Sequence, residues 1–173
     1  MLPADTVEQI YAAASAQAPL SEPASVAAMY AGLYARARTE PGVTMAIAGD
    51  EDGPVGFAYG HDWHWSEATD PWSTQLRQRL GEDAAQQIAE SFAVNLLAVL
   101  PAASGMGAGR RLLEALVDAA TSDTAWLQTT DIDSPARQLY RRTGWRTLGR
   151  GPDAPNGKPG LVLIHVRKPR TGC

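Results

Sequence analysis

The chain has 173 residues, of which 45% are hydrophobic and 20% are charged, and its formal net charge is −4. Its length and composition predict one globular domain over residues 1–173. The negative charge disfavours nonspecific binding to nucleic acid or to anionic membranes, because both interactions need a basic surface.

Two helices and a hairpin are predicted in the first part of the chain. Helices are predicted at residues 5–17, where Asp5 is a possible N-cap, and at residues 22–38. Strands are predicted at residues 43–48 and 54–59, on either side of a turn rich in Gly and Asp.

The middle of the chain contains an aromatic segment, a polar stretch and a long apolar run. The aromatic segment follows the second predicted strand and reads His61-Asp62-Trp63-His64-Trp65. Residues 66–91 are predicted to form a helical insertion of one or two helices, which could form a lid over the substrate. Residues 92–100 are apolar except for Asn95, which is typical of a central strand covered on both faces.

Helices and strands alternate in the second half of the chain. Helices are predicted at residues 109–120 and 134–143, and strands at residues 125–130, 145–148 and 161–166. This alternation predicts an α/β layered domain, and the early hairpin makes its sheet mixed.

The two ends of the chain and its cysteine usage suggest a cytoplasmic protein. The first 18 residues lack a basic patch and a long apolar stretch, so we expect neither a signal peptide nor an anchor. No later segment approaches a membrane span. The only cysteine is Cys173, which excludes an internal disulfide and a zinc site built on thiolates and fits a reducing compartment.

A glycine-rich turn between a predicted strand and a predicted helix is the most informative segment. Gly105, Gly107 and Gly109 lack Cβ atoms, so the backbone can approach an anion, and the first N–H groups of the helix face outward. A pyrophosphate would fit against this open backbone and would accept hydrogen bonds from these N–H groups. A glycine-rich turn that binds nothing has the same pattern, however. A dinucleotide-binding turn would follow the first strand, and a nucleoside-triphosphate loop would end in Gly-Lys-Ser/Thr, so both of these alternatives are weaker.

Two linked motifs resemble the GNAT superfamily of N-acetyltransferases, in particular its small bacterial members. Val99-Leu100-Pro101 and the following segment from Ser104 to Gly109 are similar to the family's cofactor signature, Arg/Gln-x-x-Gly-x-Gly/Ala after a Val-x-Pro strand end. Residues 133–145 are similar to its pattern Asn-x-x-Ala-x-x-Leu-Tyr-x-x-x-Gly-Phe. The resemblance implies a mostly antiparallel central sheet, flanked by helices and with splayed central strands. The family's first edge strand has no counterpart before residue 5.

The resemblance implies that acetyl-CoA lies between the splayed strands and that the primary amine of a small molecule attacks its thioester directly. Tyr140 would be the general acid for the departing thiolate, or an aromatic that only packs. The implied cofactor contacts are Leu97, Ala98, Val99, Ser104, Gly105, Met106, Gly107, Ala108, Gly109, Arg110, Asp133, Ala136, Arg137 and Tyr140.

Three positions depart from the family pattern. Ser104 stands where Arg or Gln is usual, Asp133 replaces Asn, and Leu96 occupies a place where many members carry a Glu base. Asn95 can orient a water but cannot hold a proton, so deprotonation falls to His64, Asp62, Glu67 or bulk solvent. The departures leave open a degenerate domain that binds acyl-CoA without transfer, and a protein N-acetyltransferase remains a further alternative.

The aromatic segment is expected to receive the acceptor, because the GNAT fold admits its acceptor after the family's third strand. That strand is the second predicted strand of this chain, since the family's first edge strand has no counterpart here. Tryptophan faces attract cations, and the expected acceptor contacts are Asp62, Trp63, His64, Trp65 and Trp72. The alternative is that Trp63 and Trp65 cover the edge of the core. No metal site is expected, since two histidines three apart at a strand end point in different directions.

The strand at residues 43–48 is expected to be an exposed sheet edge, because no strand precedes the first helix. Exposed edges invite pairing with another chain, so we expect a homodimer.

Overall fold

A six-stranded sheet runs through the computed structural model, which describes residues 1–168. The strands are β1 (Val43–Asp50), β2 (Gly53–His64), β3 (Glu90–Val99), β4 (Thr124–Thr130), β5 (Arg146–Gly151) and β6 (Gly160–Val166). Their order is β1-β2-β3-β4-β6-β5, and only β3 and β4 are parallel neighbours. The sheet is therefore mixed and mostly antiparallel, as predicted. Cys173 lies outside the described residues.

Six α-helices accompany the sheet within residues 1–168. They are α1 (Ala4–Ser15), α2 (Ala24–Ala37), α3 (Pro71–Leu80), α4 (Glu82–Gln87), α5 (Ala108–Ala119) and α6 (Pro135–Arg142). Asp5 does not cap α1: the N-cap is Pro3, and the Asp5 carboxylate accepts only the N–H of its neighbour Thr6. None of the helices in this part of the chain is long and apolar enough to cross a bilayer.

The helices cover two faces of the sheet. The front face carries α1 and α2 over β2 and β3, and α3 with α4 over the strands from β4 to β5. The back face carries α5 and α6. Side chains of β2 alternate between them, so Phe57 and Tyr59 pack at the front and Ala58 packs at the back.

The predicted insertion at residues 66–91 forms part of the core instead of a lid. It contributes α3 and α4, and the side chains of Leu76 and Ile88 are fully buried against Trp63 and Trp126. The front of β4 and β6 needs this cover, because Trp126, Val162 and Ile164 would otherwise face water.

A bulge in β3 separates the sheet into a closed end and an open end. Leu96 lies opposite Tyr59 and Val94 lies opposite Gly60, which leaves Asn95 as the extra residue. β3 pairs with β4 only from Phe92 to Val94. Beyond the bulge the two central strands diverge, which confirms the expected splay.

β1 lies at one edge of the sheet, opposite β5 at the other, and within the described residues no strand precedes α1. The edge position expected of residues 43–48 is thus confirmed. Pairing of that edge with a second copy stays a prediction.

Gly60→Ala should destabilise the fold. A Cβ at this position would contact the Ala93 carbonyl oxygen and lie 2.6 Å from the Phe92 ring, so we expect a loss of about 1–3 kcal/mol in unfolding free energy. Gly32→Ala is the matched control, because it has open space within α2 and should gain up to ~1 kcal/mol. Urea denaturation of both variants measures the difference, and equal midpoints would contradict the packing at the bulge.

Candidate functional site

The glycine turn presents open backbone at the start of α5. Gly105 has φ +80°, and Gly107 is the N-cap of α5 with φ +77° and no side-chain cap. A Cβ on Gly105 would meet open space. Among residues 1–168, the N–H groups of Ala108, Gly109 and Arg110 have no hydrogen-bond acceptor, and helical bonding begins with Arg111 N–H to the Gly107 carbonyl. The turn therefore offers three unpaired donors at a positive helix end.

Side chains around the turn are held by local bonds. Ser104 Oγ donates to the Pro101 carbonyl at 2.8 Å, and Arg111 Nη1 donates to the Met106 carbonyl at 3.0 Å. Arg110 pairs with Glu114 along the helix at 2.7 Å. Met106 is 65% exposed. Arg111, one of the arginines expected to be able to supply charge in place of the family's Arg or Gln, thus lies against the turn.

The open end of β3 leads into this turn. Leu97, Ala98 and Val99 pair with β2 on one side, and they have no partner in β4 on the other. A strand edge with free N–H and C=O groups can bind an extended chain that carries amides. This edge and the helix end are continuous, because β3 ends at Val99 and α5 begins at Ala108.

Tyr140 comes from the helix that packs on the turn. Ser134 caps α6 by accepting the Arg137 N–H at 3.2 Å. Leu139 lies 3.4 Å from the Cβ position of Gly109, and Ala136 packs against the same back-face core. Tyr140 is 7% exposed, and burial raises its pKa to about 12. Its hydroxyl is therefore protonated at neutral pH, and it has no hydrogen-bond partner within residues 1–168.

The other polar residues of the second motif are engaged elsewhere. Arg137 and Arg150 each lie 2.7 Å from a different carboxylate oxygen of Asp131. The Arg137 hydrogen bond, with Arg150 adding to it, lowers the pKa of Asp131. Asp133 has an exposed side chain 4.0 Å from Arg141. The Arg137 guanidinium therefore already has a carboxylate partner, and its predicted contact with a cofactor stays a prediction.

The aromatic segment belongs to β2 up to His64, so the side chains of these strand residues alternate between the two faces. Trp63 lies in the front core with its ring 5.1 Å from Trp65 and 4.9 Å from Trp126. Trp65 Nε1 donates to the Ala85 carbonyl at 2.9 Å. Both rings pack against the core under α3 and α4, which favours the alternative that they cover the edge of the core. Acceptor binding by Trp63 and Trp65 stays a prediction. Trp72, on α3, is 41% exposed.

His64 and Asn95 are not brought together. His64 is exposed at the end of β2, opposite Glu90, and five residues of β3 separate that position from Asn95, or roughly 16 Å at strand spacing. Asp62 Oδ1 accepts a hydrogen bond from the Thr121 hydroxyl at 3.3 Å, just past the C-terminal end of α5. The residue beside Asn95 is His61, whose Nδ1 lies 2.8 Å from Asn95 Oδ1.

The sequence did not single out His61, because the second strand was predicted to end at residue 59, before the aromatic segment. Continued period-two alternation through Phe57, Tyr59, His61 and Trp63 would have placed it at the front, since all four lie on odd positions of one strand. The bulge at Asn95 gave no sequence signal.

A second group that the sequence did not reveal lies between α1 and α2. Glu22 is 9% exposed, and its Oε2 accepts a hydrogen bond from the Tyr11 hydroxyl at 2.7 Å. The Tyr11 and Tyr30 rings meet edge to face at 5.1 Å. Burial, then the Glu22 bond, raises the pKa of Tyr11, and Tyr140 also contributes. Tyr11 and Tyr30 pack at the front against the cluster that contains Leu96 and Ala98 of β3, whereas Tyr140 packs in the back-face core.

Two surface depressions lie away from this gap. They measure about 220 and 510 Å³ and are lined by residues that include Trp145, His165 and Arg167. The smaller one is lined by α5 residues from Leu113 onward and the larger one by residues from Asp118 onward, so both lie beyond the first turn of α5. Residues 1–168 contain no group of three or more His, Cys, Asp or Glu placed to hold a metal ion.

Comparison with known families adds to this geometry. The model of the acetyltransferase (GNAT) family matches residues 7–145, which include both motifs and the two strands, β3 and β4, that border the gap. The chain belongs to the GNAT acetyltransferase family. Members of this family generally use acetyl-CoA and act on amine acceptors. No curated protein matches the chain.

Solved GNAT structures share the fold. An aminoglycoside 6'-acetyltransferase type Ii is 18% identical, with a TM-score of 0.59 over 97% of this chain and 92% of that chain. A histone acetyltransferase HPA2 and related acetyltransferase from Corynebacterium glutamicum ATCC 13032 is 20% identical, with a TM-score of 0.63 over 97% and 93%. A nourseothricin acetyltransferase is 22% identical, with a TM-score of 0.53 over 73% of this chain and 66% of that chain. At these identities the likeness shows the fold alone.

Trp63→Ala should destabilise the fold by about 3–5 kcal/mol, because it removes a ring enclosed by two other indoles. Trp72→Ala, at an exposed position, should change stability by only about 0.5 kcal/mol. Chemical denaturation of the two variants distinguishes a core ring from a ligand-binding ring. A Trp63→Ala variant with wild-type stability would restore the ligand-binding interpretation.

Proposed function

We propose that this GNAT chain transfers an acetyl group from acetyl-CoA to the primary amine of a small molecule, by direct attack on the thioester. One arrangement carries the proposal: the free edge of β3, the open N-terminus of α5 and the protonated Tyr140 hydroxyl adjoin one gap in the sheet. The first two suit binding of a cofactor with amides and a pyrophosphate. The third suits donation of a proton inside that gap.

The chain's own residues suit coenzyme A. The N–H groups of Ala108, Gly109 and Arg110 would hold the pyrophosphate, with the Arg111 guanidinium beside them. The free edge from Leu97 to Val99 would pair with the amides of the pantetheine arm. Bound acetyl-CoA supplies an activated acyl group on a thiol leaving group.

Two residues are proposed to move protons. The Tyr140 hydroxyl donates to the departing thiolate, which it can do because burial keeps the phenol neutral. His61 takes the role first considered for His64. If His61 Nδ1–H donates to Asn95 Oδ1, then Nε2 carries the lone pair and can accept the proton of the attacking amine. Asn95 is then a positioning residue that fixes the tautomer.

The alternatives differ from this proposal in a measurable way. A degenerate domain would bind CoA without releasing free thiol from acetyl-CoA in the presence of any amine. A protein N-acetyltransferase would acetylate peptides and leave small amines unchanged. We favour a small acceptor, because α1 with α2 and α3 with α4 pack on the front of the sheet on either side of the gap. We place the reaction in the cytoplasm because the single cysteine of the chain fits a reducing compartment.

Gly107→Glu should abolish binding of acetyl-CoA, because it adds a carboxylate at the pyrophosphate site. A ligand at 100 times its Kd stabilises a protein by about 2.7 kcal/mol, so the wild-type melting temperature should rise with acetyl-CoA and that of the variant should not. Gly157→Glu is the control: Gly157 has the same φ of +77° in open space but lies in the β5–β6 loop. An equal ligand-dependent rise in all three proteins would place the cofactor elsewhere.

Tyr140→Phe should lower kcat by about 100-fold with little change in affinity for acetyl-CoA, because the hydroxyl acts only as the thiolate leaves. Tyr59→Phe is the matched control, since Tyr59 is also buried with a pKa raised to about 12, by burial first and then by Tyr34 and Tyr30. Because an acid must be protonated and the pKa of Tyr140 is about 12, wild-type kcat should not fall between pH 7 and about 10. Wild-type turnover in Tyr140→Phe would reduce Tyr140 to a packing residue.

A further inference from the structure

Glu22 is a buried carboxylate without a cationic partner. It is 9% exposed, and no salt bridge joins it to a Lys, Arg or His among residues 1–168. Its hydrogen bond comes from the neutral Tyr11 hydroxyl. Its Oε1 has no partner in the described part of the chain and is not sealed from solvent. Burying a charge without a counter-charge is costly, so such a group is well suited to bind a cation.

The backbone holds Glu22 in this place by specific contacts. Its N–H donates to the Ser15 carbonyl at the end of α1, at 2.9 Å. The preceding residue, Ser21, has φ +47°, a left-handed conformation that is uncommon outside glycine. Strained backbone that surrounding contacts maintain is found preferentially at functional sites.

Aromatic rings complete the surroundings of the carboxylate. Tyr11 and Tyr30 are half-buried, and their rings meet at 5.1 Å next to Glu22. The face of a tyrosine ring attracts a cation, and a carboxylate beside it adds an ion pair. Burial and the charge of Glu22 raise the pKa of Tyr30 to about 12. The phenols around the carboxylate therefore stay neutral, and Glu22 supplies the charge of the site.

We propose that Glu22, with the rings of Tyr11 and Tyr30, binds a second cationic nitrogen of the acceptor, one that is not acetylated. The proposal rests on the transfer reaction above and names its substrate class as amines with two basic nitrogens. Tyr11 touches Glu22 through its hydroxyl, and Tyr11 and Tyr30 both pack against the front-face cluster that contains Leu96 and Ala98 at the open end of β3. The cation site thus lies on the front side of the gap.

A matched pair of acceptors tests the site. (3-Aminopropyl)trimethylammonium carries one primary amine and one permanent cation, and 4,4-dimethylpentylamine has the same shape with carbon in place of that cation. Wild type should show a lower KM for the cationic probe. Glu22→Gln should raise that KM about 10- to 100-fold, the effect of losing a charged partner, and should leave the KM of the neutral probe and the Kd of acetyl-CoA unchanged.

Two further variants control for charge and folding. Glu51→Gln changes the net charge equally at an exposed turn and should keep the preference for the cationic probe. Glu22→Asp retains the carboxylate and should keep part of the preference, so it tests the site even where Glu22→Gln does not fold. Equal KM values for both probes in wild type, or equal changes for both in Glu22→Gln, would overturn the cation site.

Calorimetry separates this proposal from the transfer reaction. The cationic probe is titrated into the CoA-bound protein, where no acetyl group is present. Binding that Glu22→Gln abolishes supports the cation site even if no amine is ever acetylated. Acetylation of the neutral probe, with no binding of the cationic probe that depends on Glu22, leaves transfer intact and removes the cation site.

Discussion

The pairing of β3 with β4 for only three residues is the constraint on which the rest of the structure depends. Asn95 is inserted as a bulge directly after the last paired residue, so β3 turns away from β4 while keeping its antiparallel partner β2. The divergence leaves backbone groups of β3 without a partner, which is unfavourable unless another chain or ligand uses them. The divergence also leaves an opening in the sheet between the helices of the front face and those of the back face. A continuous sheet would separate these two layers.

Electrostatics within this gap follow from burial. Tyr140 at the back and Tyr11 and Tyr30 at the front have raised pKa values because a phenolate in these surroundings would lose its hydration. Each therefore remains a neutral hydroxyl that can donate a hydrogen bond or a proton. Glu22 is the one carboxylate among the buried residues of the described part of the chain, and it lies beside Tyr11, which is consistent with a cationic acceptor.

The sequence predicted most elements of the fold, because their signals are local. The apolar run ending at Val99, the glycines of the turn and the alternation after residue 109 each fix an element through periodicity or backbone freedom, and the bounds differ from the structure by a few residues.

The front of the gap was not predictable in the same way. The contact between His61 and Asn95 depends on a register shift, and the contact between Tyr11 and Glu22 depends on how two helices pack. The use of Trp63 and Trp65 was open for a related reason: large aromatic side chains suit both a binding site and a core, and the sequence does not show that α3 and α4 cover them.

The three departures from the family pattern each have a local explanation in the structure. Ser104 bonds to the Pro101 carbonyl and helps to close the turn, and the unpaired N–H groups that suit pyrophosphate belong to the backbone of α5. Leu96 is 8% exposed in the core beneath α1, where a carboxylate would be buried without a partner. A base would then have to approach from the neighbouring strand, and the bulge places His61 beside Asn95 at that point. Asp133 is solvent-exposed, and α6 is capped by Ser134 without its help. The backbone geometry of the turn and of α6 therefore does not depend on the usual side chains at these positions, which is compatible with the transfer reaction proposed above.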